Sequence, residues 1–99
     1  MRLRVLVTHV AEGWQRHGWV IDLGLGGACV VVDGLHAGDT VTLSFVAPTL
    51  WDPLVLRANT VWARTGTPME PARAGVSFEH KSAAPVFALF ELVGTMAYE

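Results

Sequence analysis

The sequence predicts a mainly β domain, a six-stranded antiparallel β-barrel of about residues 2–80 with a C-terminal α-helix over about 82–94. Three observations carry this. Short runs rich in β-branched residues or alternating apolar with polar recur along the chain, each closed by Gly, Pro or Asp turn signals. After the last such run the apolar period changes from two to that of a helix. The 99 residues suffice for one domain, 1–99, burying one core without disulfide or metal.

Arg2 to Val10 reads as the first strand, with Leu3, Val5 and Val7 on one parity and Arg4 and Thr8 on the other. Ala11 to Gly18, with Gly13, Glu12 and Arg16, reads as a hairpin connection. Trp19 to Leu23 and Ala28 to Val32 are the second and third strands. They flank the glycine-dense turn Gly24-Leu25-Gly26-Gly27. Leu35 to Asp39 is a loop. Thr40 to Val46 then alternates cleanly, Val41, Leu43 and Phe45 against Thr40, Thr42 and Ser44. Ala47 to Pro53 is a loop between Pro48 and Pro53. Leu54 to Arg64 is a long strand whose parity breaks around Ala58 to Val61, which predicts a bulge or strong twist. Thr65 to Pro71 is a loop and Ala74 to Glu79 the last strand. Ser82 caps a helix in which Val86, Leu89, Phe90 and Val93 follow i, i+3, i+4, i+7 spacing, and Gly94 stops it. Such a helix would cover an open end or edge of the barrel.

Composition narrows function. A net charge of −2 argues against DNA or RNA as partner, since a basic face supplies most of that affinity. It leaves room for a small ligand with one or two phosphates. The first residues are too soon interrupted by Thr8, His9 and Glu12 for a signal peptide, and no apolar run is long enough for membrane insertion. The expected location is cytoplasmic. Cys29, the one cysteine, sits in an apolar run and reads as a small buried hydrophobe. His9, His17, His36 and His80 have no metal-ligand spacing, so no metal is expected. With no nucleophile elbow, P-loop, dinucleotide fingerprint or paired carboxylates, no catalytic residue is assigned and an enzyme is not expected.

One stretch carries chemistry. Asp22 opens the glycine turn, where a carboxylate either accepts backbone N–H groups of the turn or meets a ligand lying over it. Asp22-Leu-Gly24-Leu-Gly-Gly27 resembles the Asp/Asn-x-Ser-x-x-Gly motif of PilZ domains. Gly38-Asp39-Thr-Val41-Thr-Leu43-Ser-Phe45, Leu54-Val-Leu56 with Thr60-Val61-Trp62, and Gly75-Val76-Ser77-Phe78 follow in that family's order, with the closing helix behind them. The resemblance covers residues 3 to about 93 and implies the same barrel and helix. It also implies cyclic di-GMP as ligand, held by the motif turn and by an Arg-x-x-x-Arg ahead of the first strand.

The sequence departs from that pattern twice. Its N-terminal arginines are Arg2 and Arg4, spaced Arg-x-Arg, and Gly24 replaces the motif serine. The resemblance therefore implies a PilZ-type adaptor with weak or no ligand binding. Such a module would act through an unidentified protein partner in bacterial motility, pilus or polarity control, with no cofactor. The alternative is a cyclic di-GMP receptor that uses Arg2, Arg4, Asp22, Gly24 and Gly27, with Arg16 or Arg73 as further substitutes for the missing arm. Candidate partner contacts are Trp14 in the first hairpin and Leu50 and Trp51 between two prolines; the other reading packs these aromatics over the barrel ends.

Overall fold

The computed structural model of the chain describes residues 3–24, 26–45 and 54–79. Its strands are β1 Leu3–His9, β2 Gln15–Leu23, β3 Gly27–Val31, β4 Thr40–Phe45, β5 Leu54–Arg64 and β6 Arg73–Phe78. They close into an antiparallel barrel in the order β1-β2-β3-β6-β5-β4, with β4 returning to β1. Among the described residues closure leaves no unpaired strand edge. Arg2, Val46, Leu50, Trp51, His80 and the predicted helix Ser82–Val93 with its stop at Gly94 lie outside the described residues.

The main correction to the predicted boundaries is in β2, which starts at Gln15 rather than Trp19. Gln15 to Gly18 pair with Thr8 to Val5, so polar residues read as a connection are a ladder whose outward side faces water. The true turn is short. Gly13, at φ +77°, donates to the His9 carbonyl at 2.7 Å, and His9 donates back to that of Trp14 at 2.9 Å. Val10 falls in this turn. Smaller shifts start β3 at Gly27 and β6 at Arg73, and end β3 at Val31 and β6 at Phe78.

Alternation puts Val5, Val7, Val20, Val30, Val41, Leu43, Phe45, Leu56, Ala58, Ala74 and Val76 inside the barrel. Each large aliphatic buried there is worth roughly 1.5–3 kcal/mol. Phe45 and Phe78 meet edge to face, with centroids 6.4 Å apart. Parity is broken twice. The β5–β6 register shifts between Thr60 and Trp62, within the stretch where the sequence loses alternation. The β2–β3 register shifts between Val20 and Asp22, a bulge the sequence does not announce.

One barrel end is tied by a buried histidine. His9 is 5% exposed. Its Nδ1 accepts the Glu12 backbone N–H at 3.0 Å, and its Nε2 lies 3.2 Å from Asp39 Oδ2. Since Nδ1 accepts, Nε2 carries the proton and donates to Asp39. Asp39 Oδ2 also accepts from the His36 backbone N–H at 2.8 Å, so one carboxylate links the β1–β2 turn to the β3–β4 loop. Trp14 packs against the core here. Its ring lies 5.3 Å from that of His9, its indole donates to Glu12, and the Arg16 guanidinium carbon sits 4.5 Å above it.

The His36 backbone hydrogen bond, and then the hydrogen bond from His9, hold the Asp39 carboxyl below its ordinary value although partial burial opposes them. A depressed folded value stabilises the protein above the unfolded carboxyl range, and that stability is lost as pH falls through the folded value. Urea unfolding between about pH 6 and pH 3 should therefore show an acid loss of stability that Asp39→Asn makes shallower. An unchanged slope in Asp39→Asn would mean that this carboxylate does not couple the two loops.

Candidate functional site

The two bulges have one consequence in common. Without its bulge, Asp22 would share the inward parity of Val20, and Trp62 that of Thr60. The extra residues, Ile21 and Val61, reverse this, so Asp22 pairs with Cys29 and Trp62 with Gly75. Cys29 and Gly75 are themselves direct partners. Asp22, Cys29, Gly75 and Trp62 thus form one outward-facing row across β2, β3, β6 and β5. At a strand spacing of about 4.8 Å this row spans roughly 14 Å.

The row floors an open cleft of about 480 Å³. Asp22 stands at one end, exposed, with no hydrogen bond or ion pair among the described residues. The turn beside it is closed instead by the Gly24 N–H donating to the Gly27 carbonyl at 2.9 Å. Among the described residues the Asp22 carboxylate accepts no backbone N–H of this turn. Trp62 stands at the other end, 44% exposed. Its indole lies directly over the Gly75 backbone, where any Cβ would collide with it. Gly27 is held as tightly, since a Cβ there would strike the Val76 carbonyl oxygen. Gly24 has ordinary space around it, with 3.9 Å to the Gly27 oxygen.

The cleft therefore offers one carboxylate acceptor, one aromatic face and bare glycine backbone between them. That set suits a flat heterocycle, with N–H groups on the carboxylate and a π-face on the indole. Among the described residues that line it, Asp22 is the only charged side chain, so they set no cation against an anion.

Of the site residues read from sequence, the structure brings Asp22, Gly24 and Gly27 together and leaves Arg4 apart. Arg4 is exposed on β1, its guanidinium carbon 5.4 Å from the Trp19 ring centroid. Arg16 is engaged with Trp14 and donates to the Asp33 carbonyl at 2.8 Å. Sequence reasoning missed Trp62, Cys29 and Gly75 as cleft residues. The signal available was Gly75, since a glycine inside a strand marks a close approach. Among the described residues no three His, Cys, Asp or Glu gather to hold a metal ion, and no helix is long and apolar enough to cross a membrane.

Comparison with known proteins agrees with this architecture. The family model described as PilZ domain matches residues 1–93. A crystal structure of the PilZ domain of CeSA from a cellulose synthesizing bacterium is similar, with a TM-score of 0.77 at 21% identity, over 98% of this chain and 94% of that one. At that identity the likeness is one of fold. No curated protein matches the chain.

The glycines of the turn should respond differently to substitution. Gly27→Ala is expected to cost about 1–3 kcal/mol through overpacking against β6, while Gly24→Ala stays within about 0.5 kcal/mol of the parent. Urea denaturation of both variants checks this; equal losses would mean that the turn does not rest on β6 through Gly27.

Proposed function

Because the chain belongs to the PilZ domain family, whose members bind cyclic di-GMP and serve its signalling, we propose that it is a regulatory adaptor that binds this nucleotide weakly or not at all. It would act through protein contacts, in control of bacterial motility, pili or polarity. The observation that carries the reading is the charge of the cleft. Among the described residues that line it, the surface onto which the motif turn opens carries one charged group, the Asp22 carboxylate, and no arginine. A cyclic dinucleotide brings two phosphates, and arginine is the side chain that grips phosphate in a planar, bidentate way. Losing two charge-assisted contacts at roughly 1.5–3 kcal/mol each weakens binding by about two to four decades. A micromolar receptor becomes a millimolar one. Leu50 and Trp51 remain the candidate partner contacts from sequence.

A second reading has its own observation. Asp22 is a free carboxylate facing Trp62 across one cross-strand row, an arrangement that suits a guanine edge and face. In that reading the domain is a receptor, with Arg2 and Arg4 in place of the missing arm.

Isothermal titration of cyclic di-GMP separates the two. With the domain shown folded by circular dichroism, no saturable heat is expected up to about 1 mM ligand. Saturation in the micromolar range that disappears in Arg4→Ala or Asp22→Ala would overturn the adaptor reading and establish the receptor.

A further inference from the structure

Beside the cleft row runs a second row of different character. Arg4 pairs with Trp19, Trp19 with Val31, Val31 with Arg73, and Arg73 with Arg64. All face outward, two residues along β3 and β6 from Cys29 and Gly75. The chain has seven Lys and Arg in all and is net acidic, so three cations in one row is a concentration. None of the three forms an ion pair among the described residues, whose three pairs are His9–Asp39, His36–Asp39 and Arg57–Glu79.

Two features make the row unfavourable on its own. Arg64 and Arg73 are direct cross-strand partners, and like charges in that position repel. Among the described residues Arg73 Nε is buried without a hydrogen-bond acceptor, which costs desolvation with nothing in return. Both features are relieved by an anion seated on the pair. Next to it lies a groove of about 320 Å³ between Trp19 and Arg73, floored by Ile21 and Val31 and walled by Pro71. Trp19, 40% exposed, forms its aromatic side.

We propose that the Arg4–Trp19–Arg73–Arg64 face docks an acidic segment of a partner protein, its carboxylates on Arg73 and Arg64 and an apolar side chain in the groove beside Trp19. The occupant follows from the surface. Arginine forks take carboxylates in pairs. Tryptophan and arginine are the residues that dominate protein–protein hot spots. The apolar groove fits one side chain, which a bare phosphate does not supply. The net charge of −2 disfavours the polyanions that seek broad basic faces, nucleic acid and anionic membranes. This deepens the adaptor reading and rests on it. The cyclic di-GMP titration and the experiment below use different ligands and different residues, so either reading can fail alone.

The test uses the whole chain and a fluorescein-labelled peptide of alternating glutamate and leucine, read by anisotropy. Saturable binding is expected that weakens as salt rises. It should fall about tenfold or more in Arg64→Glu/Arg73→Glu and hold within about twofold in Arg57→Glu, an exposed arginine outside the row. A peptide of alternating lysine and leucine should bind the double variant better than the parent. Arg64→Glu alone should raise Tm while weakening the peptide, because it replaces a like-charge pair by an opposite one. Equal loss in Arg57→Glu, a lowered Tm in Arg64→Glu, no binding of the acidic peptide up to about 1 mM, or tighter binding of single-stranded oligothymidine or phosphatidylglycerol vesicles would each overturn the proposal.

Discussion

The surface chemistry of this barrel depends on two inserted residues. A closed barrel has one inside and one outside, and the pleat assigns side chains to them in strict alternation. Ile21 and Val61 break the alternation on β2 and β5, the strands that flank β3 and β6. Each insertion reverses the facing of everything beyond it on its strand. The Val61 bulge acts on both outer rows at once, turning Trp62 toward Gly75 and Arg64 toward Arg73. Removing either bulge would drive a carboxylate, an indole or a guanidinium toward a core of valine, leucine and phenylalanine, at a desolvation cost the barrel has no partners to offset. The bulges are thus fixed by the core as firmly as by anything outside it.

Glycines complete what the bulges begin. Trp62 can lie flat on the sheet only because Gly75 leaves its outer face bare. The motif turn can press against β6 only because Gly27 does the same. Both positions belong to strands, where glycine weakens pairing, so local propensity alone argues against them. What they gain is contact between elements distant in sequence. Among the described residues the resulting cleft has polar and aromatic ends and no cation, and Arg4, Arg73 and Arg64 stand one row away. The carboxylate-and-indole row and the arginine row are therefore separated on this barrel by about the distance between successive outward residues of a strand, roughly 7 Å.

Much of the fold is legible in the sequence because alternation is a local signal. The run from Thr40 to Phe45 reads directly as a half-buried strand and is one, and the broken parity before Trp62 marks a real bulge. Two features escape. Gln15, Arg16 and His17 look like a connection because an exposed ladder needs no apolar side chain; only pairing with Val5 to Thr8 shows that they are strand. The bulge at Ile21 is silent because Ile21 and Leu23 are both apolar and the turn follows at once, leaving too few residues for a period to fail. The site is legible only along the chain. Asp22, Gly24 and Gly27 lie within one turn and can be read together. Cys29, Gly75 and Trp62 meet them through registers that no local pattern reports.

The turn itself divides by what holds each residue in place. Gly27 is demanded by packing, since any side chain there strikes β6. A chain that folds this way keeps it whether or not a nucleotide ever binds. Gly24 meets nothing closer than 3.9 Å among the described residues, so the fold would accept the serine hydroxyl that the resemblance leads one to expect. Asp22 makes no bond within the described structure, so the fold does not require its carboxylate either. Departures from a binding motif are informative only at positions of this second kind. Gly24 in the place of the motif serine, and the lack of arginine among the described cleft residues, both fall there, where folding exerts no pull. Asp22 stands on the other side of that balance, a motif carboxylate that folding does not use and that, among the described cleft residues, is left open to a ligand.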